Sequence, residues 1–248
     1  MKILLMLVML VCSAVDSYAD GSALPFNLKH YGNYKAMIND NRIEGAVSVR
    51  TALAGKHVYA LGAIKNAEGE ITVYDDTVWL SYGKDGLNKA IHDIPEGEEA
   101  MLLVTAEVKT WKEVTIPLDM DESALYQFIL KQADIAGLDT KKAFPFVIEG
   151  GIKDLTWHVI KGVSDGKTEN RGHHGHASSE YGSLEKHAEL VADVDAILVG
   201  FYSADSQGVF THPGESWHSH VIFTDNKKAG HVEKFGVRNA AVLKFPML

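Results

Sequence analysis

Between residues 46 and 79 the chain breaks into short runs rich in β-branched and aromatic residues, each closed off by Gly, Asn or Asp. Runs of that length with that punctuation form strands. Residues 47–49, 57–61 and 70–73 are the clearest, and Asp75-Asp76 reads as a hairpin turn leading into Val78-Trp79-Leu80. The apolar run 100–108 and the segments 111–116, 144–149, 154–160, 191–201 and 216–242 continue the pattern, with Gly150-Gly151 as a turn or bulge. Helices are fewer. Residues 34–38 read as a short one. Residues 121–137 read as the best, with Asp121 as N-cap, Leu125, Phe128, Ile129, Gln132, Ala133 and Ala136 along one face, and Gly137 at the C′ position. Residues 20–33 form an extended lead-in, and 162–183, dominated by Gly, Ser, Asn and His, a long loop. No fixed repeat period is present. The expected fold is a strand-rich α/β chain of the α+β kind, dividing near 138–143 into segments 20–140 and 141–248.

The first residues read as a secretory signal. Lys2 supplies a positive charge, residues 3–15 are almost unbroken apolar sequence, and Ser17-Tyr18-Ala19 offers small residues where a signal peptidase cuts. The apolar run is shorter than the ~20 residues of a membrane span, so cleavage after Ala19 is expected, with a retained N-terminal anchor as the alternative. The protein is then exported, periplasmic or secreted, and soluble once cleaved. The only cysteine, Cys12, lies inside that signal, so disulfides and thiolate metal sites are excluded and any metal must be held by His, Asp or Glu. Lys2 and Asp16 cancel, which leaves the mature chain at the full-length net charge of −9. An acidic surface argues against nucleic acid and anionic membranes as partners.

The strongest local signal is Trp217-His218-Ser219-His220-Val221-Ile222-Phe223, then a polar turn at Asp225-Asn226-Lys227-Lys228, then Gly230-His231-Val232. Residues two apart on a strand point to the same face, roughly 6–7 Å apart. His218 and His220 can therefore converge on one ion, and the turn allows a hairpin that returns His231 to nearly the level of His220. Three imidazoles on adjacent strands, with coordination positions left open, are the pattern of a catalytic zinc or similar divalent site. The plain alternative is a polar, solvent-facing alternation with His231 on the surface. The cluster Arg171-Gly172-His173-His174-Gly175-His176 is either a loop that captures metal or a solvated polar loop, and His187 and His212 read as structural or surface residues.

The order Leu198-Val199-Gly200-Phe201, Gly208, Pro213-Gly214, His218-Ser219-His220 and Lys228-Ala229-Gly230-His231-Val232 resembles the C-terminal signature of bacterial α-acetolactate decarboxylases, including its ten-residue gap before the last histidine. Upstream, Gly62-Ala63-Ile64 and Ala67-Glu68-Gly69-Glu70-Ile71-Thr72-Val73 are similar to the family's GTF and DGE segments, and Phe146-Val147-Ile148-Glu149-Gly150 is similar to the strand before its arginine. The resemblance spans roughly 45–242. It implies a mixed β-sheet domain joined to a small β-barrel domain, a homodimer, zinc held by His218, His220 and His231, and Glu70 as the active-site glutamate. The implied reaction is decarboxylation of a small 2-hydroxy-3-oxo acid, 2-acetolactate to acetoin and CO2, with zinc as Lewis acid and a carboxyl moving the proton. Read without the resemblance, Glu70 is a half-exposed strand carboxylate.

The pattern also breaks. The family's arginine falls on His158, or on Trp157 with a one-residue slip, and neither supplies a bidentate, always-charged guanidinium. The threonine of GTF is Ala63, two extra residues separate Pro213-Gly214 from His218, and the chain ends at Phe245-Pro246-Met247-Leu248, before the tail that carries the family's second glutamate. His158 is then an electrostatic substitute, an extra ligand or a polar core residue. A non-catalytic exported metal-binding protein that keeps the cage is the alternative function. A cupin is disfavoured, because Thr224 and Asp225 stand where its first motif wants a glutamate. N-terminal sequencing of the exported protein is expected to begin at Asp20; recovery of Met1 would instead mean a retained anchor.

Overall fold

The computed structural model describes residues 26–40, 42–87, 89–163, 184–224 and 227–247. The signal segment and the histidines at 173, 174 and 176 lie outside these residues. Strands β1 (Phe26–Tyr31), β2 (Val47–Ser48), β3 (Val58–Ile64), β4 (Gly69–Tyr74), β5 (Thr77–Tyr82), β6 (Ala90–Ile91) and β7 (Glu99–Val108) make a seven-stranded sheet in the order β1-β7-β3-β4-β5-β6, with β2 on β7. Strands β8 (Trp111–Thr115), β9 (Phe144–Val163), β10 (Leu184–Tyr202), β11 (Trp217–Phe223), β12 (Ala229–Val237) and β13 (Val242–Pro246) make a six-stranded sheet in the order β10-β11-β12-β9-β13-β8. Because β10 also pairs with β9, strands β9 to β12 close into a ring, the barrel-like unit expected from the family resemblance.

The strand-rich α+β class holds. Every strand ladder is antiparallel, including those of the sheet expected to be mixed. Adjacent strands such as β4 and β5 follow one another through tight turns, which can join only antiparallel partners. Helix α1 spans Tyr34–Asp40, α2 spans Val49–Ala52, and α3 spans Glu122–Ile135. In α3 the Asp121 carboxylate accepts from the Ala124 amide at 2.9 Å, and Leu125, Ile129 and Ala133 bury the face turned to the core. Among the described residues no helix is long and apolar enough to cross a membrane.

The seven-stranded sheet is buried on both faces, and the period of two decides which residue goes where. On β3, Tyr59 and Leu61 join the large core shared with α3 and the second sheet, while Val58 and Ala60 turn to a smaller core with Val49 of α2. On β4, Ile71 and Val73 take the smaller core. That leaves Glu70, Thr72 and Tyr74 aimed at the second sheet, where Glu70 and Thr72 are buried. These three side chains reach Ile160, His220 and Glu149 respectively. A polar stripe on one strand is thus the seam between the sheets.

Segments 144–149 and 154–160, expected as separate strands, are one continuous β9. Its partner changes from β13, opposite Val147 to Glu149, to β12, opposite Ile152 to His158. Gly150, at φ +124°, sits at that change, where a residue with a Cβ is strained. Strand β10 begins at Leu184, seven residues before the expected start, because residues 184–190 are mostly exposed and carry charges that conceal the strand in a hydrophobic pattern. Gly230 matters most for the site. A Cβ there would lie 2.5 Å from the His158 carbonyl oxygen, so only glycine lets β12 approach β9 this closely. Gly230→Ala should lower the urea midpoint by the equivalent of about 1–3 kcal/mol and reduce metal retention; an unchanged midpoint would show that the approach is not limiting.

Candidate metal centre and active site

Cross-strand register builds the site. His220 on β11 lies directly opposite His231 on β12, and His231 lies directly opposite His158 on β9. Residues facing each other across antiparallel strands project to the same side, so three histidines form a row across the ring. His218 joins them from two residues along β11. All four are buried, and the reading of His218 and His220 as solvent-facing does not hold. Ligand atoms of His218, His220 and His231 lie within 4.8 Å of one another.

Each ring is oriented by its other partner. The Nδ1 of His218 donates to the Phe210 carbonyl at 2.6 Å, leaving Nε2 as the acceptor that meets Nδ1 of His231 at 3.1 Å. The Nδ1 of His220 lies 2.8 Å from the Thr72 hydroxyl. Its Nε2 is buried without a hydrogen-bond partner, a cost of about 1–3 kcal/mol if nothing binds there. Burial pushes the His218 pKa down to about 3 and those of His220 and His231 well below the usual imidazole range, with neighbouring histidines adding to the effect. Neutral imidazole is the form that binds a metal. Three neutral donors, one of them orphaned, fit a divalent transition ion.

Glu70 closes the site from β4. It is 4% exposed, not half-exposed, with one oxygen 3.8 Å from Nε2 of His158 and the other 3.7 Å from Nε2 of His220. Burial pushes its pKa up to about 8, only partly offset by the Ile160 amide that donates to it. His158 is pulled down to about 4 by burial and by Lys186, against the opposing pull of Glu233, whose carboxylate lies 3.2 Å from Nδ1. Four of the five site residues expected from sequence, Glu70, His158, His218 and His231, line one small cavity of about 50 Å³ whose remaining wall is largely apolar, and His220 packs behind them against Glu70 and Thr72.

Thr72 and Tyr34 have no site role in the sequence reading, and His212, read there as structural or surface, belongs to the site lining instead. Thr72 shares the face of Glu70, and the strand period alone points to it. His212 and Tyr34 line the same cavity, with the Tyr34 hydroxyl 3.2 Å from Nδ1 of His212, and no local periodicity marks either. No lysine or arginine lines the cavity among the described residues. Arg42 contacts Asp40, Arg50 binds the Ile94 carbonyl, and Arg238 pairs with Asp193 and Asp119.

The sequence profile of the alpha-acetolactate decarboxylases matches residues 31–245. The chain belongs to that family. Among solved structures, the alpha-acetolactate decarboxylase of Bacillus subtilis strain 168 is similar over 89% of this chain and 86% of its own, at 12% identity and a TM-score of 0.67. A Staphylococcus aureus protein of unknown function, described as similar to alpha-acetolactate decarboxylase, matches over 88% and 84%, at 14% identity and a TM-score of 0.62. No curated protein matches. At these identities the solved structures establish a shared fold.

Titration of this family member's buried groups gives a stability profile for the metal-free form. Between pH 4.5 and 6.5 His158 and His218 are neutral when folded and protonated when unfolded, so stability falls as pH drops through this range. Glu70 acts oppositely. From pH 4.5 to 8 the folded state keeps a proton that the unfolded state has released, so stability falls as pH rises. Below 6.5 the histidines outnumber the carboxyl; above it Glu70 acts alone. Urea midpoints measured with chelator should peak near pH 6.5 and drop more steeply on the acid side. A midpoint that rises from pH 6.5 to 5 would contradict this assignment.

Proposed function

We propose that this chain is a metal-dependent decarboxylase of a small branched 2-hydroxy-3-oxo acid, converting 2-acetolactate to acetoin and CO2. His218, His220 and His231 would hold the ion, zinc or a similar divalent metal. The observation that carries the reading is a buried carboxyl, Glu70, within 4 Å of an imidazole cage, in a chain of this family. The bound ion supplies a Lewis acid for the negative charge left on oxygen as CO2 departs.

Glu70 is the proton donor. Burial raises its pKa to about 8 in the metal-free protein, and a cation held by the neighbouring imidazoles would draw it back down, toward the range where it can both hold and give a proton. When the C–C bond to the carboxyl breaks, its electron pair stays with the substrate, and the Glu70 proton goes to that carbon. Glu70 is left ionised and regains a proton from solvent before the next turnover. A donor whose pKa lies close to the working pH is suited to this cycle. The Glu233 carboxylate beside Nδ1 of His158 favours the tautomer protonated there, which turns an unprotonated Nε2 toward Glu70 at 3.8 Å, close by but beyond hydrogen-bonding distance. Thr72 and the Phe210 carbonyl keep the imidazoles turned to the ion, the outer support such ligands need.

Met37, Met101, Leu102 and Ile160 keep bulk water from the reacting carbon. A space of about 50 Å³ has room for a few waters, each needing roughly 10–15 Å³ on that measure. Substrate therefore enters by displacing water and moving side chains, and the two methionines are the adaptable ones. Export through residues 1–19 would place the reaction outside the cytoplasm, and the working form would be a homodimer.

Zinc-loaded protein should form acetoin from racemic 2-acetolactate. Glu70→Gln should lower kcat on the order of a hundredfold or more while keeping the metal, and His218→Ala should lose both metal and activity. Full metal occupancy with no acetoin from the unaltered protein would remove the decarboxylase reading.

A further inference from the structure

We infer that Tyr34 and His212 form a specificity-determining pair that receives the substrate carboxylate through one uncharged hydrogen-bond donor. The inference rests on the decarboxylase reading for the identity of the substrate, but the binding it describes is testable without turnover.

Donor arithmetic carries the argument. The Tyr34 hydroxyl and Nδ1 of His212 are hydrogen-bonded at 3.2 Å, and both residues line the cavity beside the imidazole cage. A neutral imidazole and a phenol hold two N–H or O–H protons between them, and their mutual bond uses one. If Tyr34 donates to Nδ1, the Nε2–H of His212 is left over. If Nδ1–H donates to Tyr34, the phenolic O–H is left over. In either tautomer one donor remains for a ligand. No cationic side chain competes for the role, since none lines the cavity among the described residues.

The pair is also held in position. The amides of Tyr34 and Lys35 donate to the Val209 and Gly208 carbonyls at 2.8 and 2.9 Å, clipping the start of α1 to the segment that carries His212. That segment is a closed turn. The Thr211 hydroxyl donates to the Glu215 carbonyl at 2.8 Å, and the Glu215 amide donates to the His212 carbonyl at 3.0 Å. The His212 ring lies 5.0 Å from that of His231 and 6.1 Å from that of His218. It stands outside the group whose ligand atoms converge, at the distance of a neighbour to a bound ligand.

The test is calorimetric binding of two probes to the zinc-loaded protein. One is 2-hydroxyisobutyrate, which carries the hydroxyl and carboxylate but cannot be decarboxylated along this route. The other is acetoin, which lacks the carboxylate. His212→Ala should weaken 2-hydroxyisobutyrate about tenfold, the scale of one hydrogen bond to a charged group, and leave acetoin unchanged. His212→Gln keeps an N–H donor and should recover most of the loss, while Tyr34→Phe should show a partial loss for the acid alone. With 2-acetolactate, His212→Ala should raise KM with little change in kcat. Equal weakening of both probes, zinc loss in His212→Ala, no recovery in His212→Gln, or failure of the unaltered protein to bind the acid would each overturn the inference. Selective binding of the acid without acetoin formation would keep it and remove the decarboxylase reading.

Discussion

The site depends on one packing constraint, the fit of the β4 polar stripe against the histidine row of the closed ring. Strand period fixes both sides. Ile71 and Val73 must stay in the smaller core, so Glu70, Thr72 and Tyr74 must face the other sheet. A shift of one residue in β4 would bring apolar side chains to the seam and send a carboxyl into the hydrophobic core. The same holds in the ring, where His220, His231 and His158 stay in a row only while β11, β12 and β9 keep register. The hydrophobic cores therefore set the geometry of the chemistry, although none of their residues takes part in it.

This arrangement is costly to the metal-free protein. A glutamate and several histidines are removed from water with few partners, and every histidine of the cage is driven to its neutral form by that removal. Such a site is tolerated because the surrounding strands are well packed, with Trp157, Phe146, Phe201 and Phe235 almost wholly buried. An ion that binds only the folded state would recover part of the cost by mass action. Stability and function are linked through the same atoms: what destabilises the empty cage is what prepares it for a cation.

The histidines were legible in the sequence because strand spacing and a polar turn are local facts. H-x-H with a hairpin return to His231 states the geometry almost completely. Helix α3 was legible for the same reason, through its cap, its buried face and its terminal glycine. Glu70 was found by family resemblance, since its local sequence suggests a half-exposed carboxylate. Its burial comes from a sheet formed by residues 60 and more positions away. His212 reads as structural or surface, and Tyr34 as no more than the start of a short helix, because their meeting is purely tertiary, 178 positions apart in the chain. The long β9–β10 hairpin was underestimated where its strands leave the core and alternate with charge.

Of the two positions on which the family's arginine could fall, His158 and Trp157, only His158 lines the cavity. A guanidinium stays charged at any working pH and grips a carboxylate with two parallel bonds. The imidazole at His158 is neutral near pH 7 because burial holds its pKa at about 4, and it faces Glu70 rather than standing apart from it. No cationic side chain lines the cavity among the described residues, and Lys186 acts on His158 from outside that lining. One uncharged hydrogen bond grips a carboxylate less firmly than a bidentate guanidinium, so the exchange of one for the other alters how tightly a cavity of this shape can hold an anion.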